Sequence, residues 1–277
     1  MNHADYSRIG VKVLDNCIEV DLLDCIASDL TAVAEKVANQ NEIELHGAES
    51  LERILTTLAE ADCSLYLTWL RGCESLASLY GLVNHHRLVA FSRNVAGLQL
   101  LHIPVRPAVH CYSPRISEIL LSEGGFSDLK QHQDWHALQS SLNTVVFWIP
   151  LTDIHSQKSR LAVWPRSHLS GLTAATKNTF GHETAAPLAD SEAVAPLLSK
   201  GSCIAFSSLT IHKTFVPNDC EGLRIAIGIR HSDLGCSEHI SRSFQGGVKT
   251  TVEYDYDHCF SDEQMLLLEK IFGASDG

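Results

Sequence analysis

The sequence predicts a mainly β protein with helical flanks, and three observations carry that prediction. Apolar residues recur at helical spacing through most of the first hundred positions. Between about 105 and 233 the chain breaks into short β-rich runs separated by turn residues, and a capping pattern opens one more helix near the C-terminus. Short strands in this number and spacing fold as a sandwich or a barrel.

In order along the chain, Val11-Lys12-Val13-Leu14 after Gly10 reads as a short strand. From 20 to 38, Leu22, Leu23, Ile26, Leu30, Val33, Ala34 and Val37 recur at steps of three and four, which predicts an amphipathic helix. Helical patterns follow at about 50–61, 64–82 and 85–99. The clearest strands are 144–149, 160–164, 202–206 and 223–229. A stretch rich in Thr, Ala, Asn and Gly at 172–194 interrupts them as a loop that could cover a site. Ser261-Asp262-Glu263-Gln264 before an apolar run ending at Gly273 predicts a terminal helix over 261–272. No internal repeat or low-complexity linker marks a second domain. The expectation is one catalytic domain over 1–277: a mostly helical flank to about 104, a core over 105–233, and an extension over 234–277.

Composition limits the partners. With 45% apolar and 19% charged residues the chain has the means to fold. A net charge of -12 opposes binding to a phosphate backbone, which disfavours nucleic acid. The nine cysteines include no CxxC pair, so a structural zinc site or a redox motif is not expected, and a reducing compartment is. The first residues lack a secretory pattern, and no apolar segment approaches the roughly 20 residues of a membrane span. A cytoplasmic protein acting on a small molecule is expected; the sequence carries no mark of oligomeric state.

The chemistry is concentrated around His132-Gln133-Asp134. In extended chain, residues i and i+2 face one side, so His132 and Asp134 can converge on one atom. With a second histidine from elsewhere they make the facial triad that leaves positions open on iron(II). In a chain with fifteen histidines that pair alone says little. His212, just after the strand introduced by Lys200-Gly201-Ser202, is a candidate for that second histidine. Arg224 follows in the next strand; as antiparallel neighbours the two strands would place a guanidinium fork beside the site, where it can grip a carboxylate.

With these residues in place the chain resembles the phytanoyl-CoA dioxygenase family of iron(II)/2-oxoglutarate oxygenases. The resemblance rests on His132-Gln133-Asp134-Trp135, on Val146-Phe147-Trp148-Ile149-Pro150-Leu151-Thr152-Asp153, and on Leu161-Ala162-Val163-Trp164-Pro165-Arg166-Ser167-His168. It continues through Lys200-Gly201-Ser202, His212, Asn218, Arg224 and Arg230-His231-Ser232-Asp233. It covers the β-rich half of the chain. It implies a double-stranded β-helix (jelly-roll, cupin-like) core, with His132, Asp134 and His212 as iron ligands. Arg224, aided by the hydroxyl of Thr214, would hold the distal carboxylate of 2-oxoglutarate, and dioxygen would be the second cosubstrate. Retention of Asp134 sets the chain apart from halogenating relatives, which carry a small residue there, and favours hydroxylation. The chain departs from the family where Gly is common, at Ser159 and Arg166, and where Gly-Asp is common, at Gly201-Ser202.

Further candidates are less anchored. Ser113, Arg115 and Ser117 read as an alternating strand at a place where relatives often contact the cosubstrate. If the chain stays extended past Asp134, His136 shares its face, and a cupin-like cluster using His136 in place of His212 is conceivable. Otherwise Trp135 and His136 are candidates to face the substrate, and Arg230 is a candidate for an anionic substrate group or a partner in a structural ion pair. His85, His86, His239 and His258 read as solvated, and His168 as a turn or surface residue. Desaturation, cyclisation or epimerisation by the same chemistry, and a jelly-roll binding protein without turnover, remain alternatives.

Overall fold

In the computed structural model, which describes residues 3–45, 50–123, 130–178 and 181–244, the helical flank comes first. Helix α1 (His3–Ile9) leads into strand β1 (Val11–Leu14), followed by α2 (Val20–Gln40), α3 (Leu51–Ala61), α4 (Cys63–Cys73), α5 (Ala77–Val83) and α6 (His86–Asn94). In α2 the periodic Leu23, Ile26, Leu30 and Ala34 are buried. Ser50 caps α3 by accepting from the Arg53 N–H, and Asp62 both ends α3 and caps α4 by accepting from Ser64 N at 2.7 Å. The single helix expected over 64–82 is two helices. Leu76 is extended between them, and the new phase buries Leu79, Leu82 and Val83.

The β-rich portion contains β2 (Leu101–His102), β3 (Ala108–Tyr112), α7 (Pro114–Ser122), α8 (Trp135–Leu138), β4 (Val145–Pro150), β5 (Arg160–Val163), β6 (Ala175–Asn178), β7 (Gly181–Thr184), β8 (Cys203–Ser207), β9 (His212–Phe215), β10 (Arg224–Asp233) and α9 (Ser237–Ser241). A six-stranded sheet runs β1-β8-β4-β10-β2, with β3 also paired to β10, and every pairing is antiparallel. A shorter sheet pairs β5 with β9, and bridges His132 to His212 and Val163 to Val194 widen it.

Side-chain alternation assigns the two faces of the large sheet. Val145, Phe147 and Ile149 of β4, Cys203 and Ala205 of β8, and Ile225, Ile227 and Ile229 of β10 join the helices in one core. Val146, Trp148, Ile204, Phe206 and Ala226 turn the other way and pack with Leu161 and Val163 of the short sheet. Burial on both faces explains why β4 reads as an unbroken apolar run. Each buried Val, Leu, Ile or Phe among them contributes about 1.5–3 kcal/mol.

Two expectations change here. The loop expected over 172–194 is organised by the β6–β7 hairpin and by Val194, which exchanges backbone hydrogen bonds with Val163. The alternating strand expected at 113–117 is the helix α7: Pro114 stands in its first turn, where its missing N–H costs nothing. The helix expected over 261–272 lies outside the described residues, as does His258. Among the described residues no helix is long and apolar enough to cross a membrane.

Candidate active site

His132 and His212 are joined by two reciprocal backbone hydrogen bonds, each 3.0 Å, that hold their rings 4.1 Å apart. The Nδ1 atoms lie 2.6 Å from Lys130 O and 3.0 Å from Thr210 O. A carbonyl oxygen only accepts, so in the neutral rings Nδ1 carries the proton and Nε2 presents a lone pair. Those two Nε2 atoms stand 3.6 and 3.4 Å from Oδ1 of Asp134. One donor atom from each residue lies within 4.8 Å of the others. Three acceptors facing one another with no proton between them repel, and a cation among them removes that repulsion. The donor set suits a divalent metal such as iron(II).

Burial by itself would push the Asp134 carboxyl up, but Arg230, together with the contacts to His132 and His212, holds it well below the usual carboxylate range. Burial, then His132, pushes His212 down, which favours the neutral ring that ligation needs.

The flanking glutamines position the pair. Gln133 is 1% exposed and faces away from the cavity; its Nε2 donates to Gly171 O and Leu209 O, and its Oε1 accepts from N and Oγ1 of Thr173. Gln131 does the same to the backbone of Leu188. With both glutamines committed to the opposite side, His132 and Asp134 face inward, and nothing in the hydrophobic pattern announced that role.

The extended chain stops there. Asp134 already has helical torsions, φ -59 and ψ -29, and α8 begins at Trp135. His136 therefore turns away to bond Thr173 O at 2.9 Å and stack on His182. Trp135 donates from Nε1 to Ser140 O and lies under the Arg242 guanidinium. Neither lines the cavity, so the cluster built on His136 is excluded and the substrate-facing expectation for both is corrected.

Arg224 reaches the cavity by a different route from the one expected. Strands β9 and β10 belong to different sheets, so His212 and Arg224 face each other across the space between sheets. Arg224 is 4% exposed, donates from Nε to Ser159 Oγ and from Nη1 to His110 O, and lies 5.7 Å from the Trp148 ring. Among the described residues no carboxylate pairs with it. Thr214 and Arg160 also line this inner cavity. So does His110, which sequence reasoning missed. Burial, with Arg230 and Arg224 adding to it, pushes His110 down to about 3. A Cβ at position 228 would lie 2.6 Å from its Nε2, so Gly228 makes the room it occupies.

Arg115 is excluded from the site: on α7 it pairs at the surface with Glu60 and Glu118. Ser117, on the same helix, is buried but does not line the cavity. Arg230 donates from Nε to Oδ2 of Asp134 and holds Nη2 2.9 Å from the same oxygen, so the ion-pair alternative describes it in this structure. Asp134 and Arg230 also border an outer cavity of about 670 Å³, lined by Glu74, Tyr80, Ile103, Val105, Arg106 and Leu138 among others. Two histidines expected in solvent are buried: His85, bonded to Glu19 at 2.6 Å, and His239, stacked on His102.

The family model described as phytanoyl-CoA dioxygenase (PhyH) matches residues 6–226. The chain belongs to the phytanoyl-CoA dioxygenase family. It is an iron(II)/2-oxoglutarate-dependent oxygenase of that family, and the match takes in the helical flank as well as the β-rich half. No curated protein matches it in sequence. Similar solved structures share the fold at low identity. They include the non-haem monooxygenase ThoJ (17% identity, TM-score 0.56, covering 83% of this chain and 76% of that one). The 2-oxoglutarate-dependent epimerase SnoN of nogalamycin biosynthesis is 18% identical (TM-score 0.52, covering 83% and 81%), and the carbocyclase SnoK of the same biosynthesis 17% (0.51, 87% and 89%).

Two departures from the family pattern have physical explanations. Arg166, where the phytanoyl-CoA dioxygenase family commonly has Gly, sits at φ 70 in the left-handed region that glycine tolerates best. Ser159, likewise a common Gly position, accepts the hydrogen bond from Arg224 Nε at 3.3 Å.

Proposed function

We propose that His132, Asp134 and His212 hold iron(II), that Arg224 binds the distal carboxylate of 2-oxoglutarate, and that the protein hydroxylates an unactivated C–H bond of a small-molecule metabolite. The observation that carries this reading is the buried guanidinium of Arg224, without a carboxylate partner among the described residues, in the same cavity as the three converging acceptors. A buried cation left unpaired is costly and invites an anion. A dicarboxylate with one end on Arg224 and the other at the triad satisfies both ends at once.

The chain's own residues bind, orient and shield. Arg224 grips the distal carboxylate, and Thr214 supplies a hydroxyl beside it. The bonds from Nδ1 of His132 and His212 to carbonyls fix each ring's tautomer and direction. Trp148, Val146, Leu161 and Phe206, whose ring lies 4.7 Å from that of His212, make an apolar wall that excludes water. When bound, iron(II) with 2-oxoglutarate and dioxygen supplies the oxidative decarboxylation to succinate and CO2 that drives attack on the C–H bond. The outer cavity, of a size suited to a metabolite, receives the substrate against Ile103, Val105 and Leu138, with Glu74 and Arg106 as polar contacts.

The same reading includes a jelly-roll closure of the two sheets, one catalytic domain, and a cytoplasmic setting suggested by the scattered cysteines. Desaturation, cyclisation or epimerisation is the second reading of the outcome. It draws support from the fold shared with an epimerase and a carbocyclase.

Anaerobic titration tests the assignment. Iron(II) should bind, 2-oxoglutarate should bind only weakly without it, and succinate should form once dioxygen and a cognate substrate are added. A wild-type protein that takes up neither iron(II) nor 2-oxoglutarate refutes it.

A further inference from the structure

The two oxygens of the Asp134 carboxylate have different neighbours. Oδ1 faces the Nε2 atoms of His132 and His212 at 3.6 and 3.4 Å. Oδ2 accepts from Arg230 Nε at 3.0 Å and lies 2.9 Å from Nη2 of the same guanidinium as an ion pair. Arg230 is itself anchored, because its Nη1 donates to Gly228 O at 3.2 Å on its own strand. Its side chain is 11% exposed and that of Asp134 9%, so the pair has little water to compete for these bonds.

We propose that Arg230 is a positioning residue that makes Asp134 a one-oxygen ligand and so preserves the open metal positions the reaction needs. This rests on the metal assignment made above. A carboxylate can bind a metal through one oxygen or chelate through both. Three protein ligands leave three positions, which a two-point cosubstrate and dioxygen fill between them. Chelation by Asp134 would take one of those three. With Oδ2 held by a charge-assisted hydrogen bond and a close ion-pair contact from one fixed guanidinium, chelation requires giving up both. A lysine would keep the charge but not the fork. Arg230 and Asp134 also border both the inner and the outer cavity, so the pair that sets the ligand's denticity is part of the wall between cosubstrate and substrate spaces.

The test uses cobalt(II) as a spectroscopic stand-in in the full chain, comparing wild type, Arg230→Met and Arg230→Lys. Cobalt(II) affinity is measured by competition with a chromophoric chelator, coordination by the visible absorption of the bound ion, and 2-oxoglutarate affinity of the loaded protein by calorimetry. The inference predicts that both variants keep cobalt(II) affinity within about tenfold, the low end of the loss typical of partners to metal ligands, change the cobalt(II) spectrum, and lose about tenfold or more in 2-oxoglutarate affinity, equivalent to about 1.4 kcal/mol. Arg230→Lys separates the fork from the charge, since a simple charge effect would leave its spectrum like wild type. Variants whose spectrum and 2-oxoglutarate affinity both match wild type overturn the inference. So does a parallel loss of cobalt(II), 2-oxoglutarate and melting temperature, which marks a structural ion pair. If Arg230→Met does not fold, Arg230→Lys decides by the same criteria. A wild type that binds no cobalt(II) refutes the metal assignment instead, so the two failures are distinct.

Discussion

His132 and His212, eighty positions apart in the chain, exchange both backbone N–H···O=C bonds at 3.0 Å and so form one hydrogen-bonded pair of an antiparallel ladder. The bonds that bring the imidazoles together belong to the main chain, and the side chains are left free for chemistry. Removing either side chain should therefore spare the fold. His132→Ala and His212→Ala are expected to keep a melting temperature close to that of wild type in the metal-free state. Metal affinity should fall by more than the 10–100-fold typical of outer-shell partners. Competition against a chelator, read beside thermal melting, checks both halves.

Arg224 separates stability from function. Replacing a buried cation that lacks a carboxylate partner with an apolar side chain relieves its desolvation. Arg224→Met is expected to be no less stable than wild type when free of ligand, although it gives up the bonds to Ser159 and His110. Its affinity for 2-oxoglutarate should drop by roughly 10–100-fold, the loss of a charge-assisted bidentate contact. Wild type should melt higher as 2-oxoglutarate is added in the presence of metal, and the variant should not. A variant stabilised as much as wild type removes Arg224 from the cosubstrate site.

Gln133 makes four hydrogen bonds from a side chain 1% exposed. In Gln133→Ala the carbonyls of Gly171 and Leu209 and the Thr173 N–H lose their partner, at a cost of about 2–4 kcal/mol. Gln133→Met, which restores the volume but not the bonds, should recover only a small part. Urea unfolding of the metal-free proteins measures the difference at constant m.

Acid should weaken the fold through its buried neutral histidines. Burial holds His110 down to about 3, and burial lowers His231 also, although its bond to Val83 O opposes that. Their folded-state pKa values lie below the unfolded value near 6.5, so between those limits the unfolded chain binds protons that the native state refuses. Their contribution is present above pH 6.5 and is lost as pH falls toward the folded value. For His110 alone this amounts to about 2 kcal/mol at pH 5. Denaturant midpoints at pH 7.5 and pH 5 should differ less in His110→Gln than in wild type, and equal differences would show that the ring takes a proton while folded.

Periodicity made the helices of the flank and the strands β4, β5, β8 and β10 readable, because each buries a face whose period is local. It failed where the deciding contact is distant. The break between α4 and α5 depends on Leu79 and Leu82 joining the core shared by the helical flank and the large sheet, where α5 packs against α2. The stretch at 113–117 alternates in polarity like a strand, yet Pro114 begins a helix that packs beside α3. At the site, the identities of His132, Asp134, His212 and Arg224 were legible from residue type and order. His110 was not, since a single histidine in a short strand has no spacing to betray it, and its place is made by Gly228 more than a hundred positions later.

By itself the sequence determined most helices of the flank, the strands β4, β5, β8 and β10, the donor types and the family, since hydrophobic period and ordered motif are properties of neighbouring residues. Which side chains face one another was decided only by the tertiary structure. Pairing between β10 and β4 sends Arg224, Gly228 and Arg230 to the same face as Val146 and Trp148, while the short sheet carries His212 opposite. The helical turn at Asp134 removes Trp135 and His136 from the cavity, and the fork of Arg230 takes the second carboxylate oxygen. These outcomes depend on register and on torsions at single residues, and a change of one position in either would reverse them.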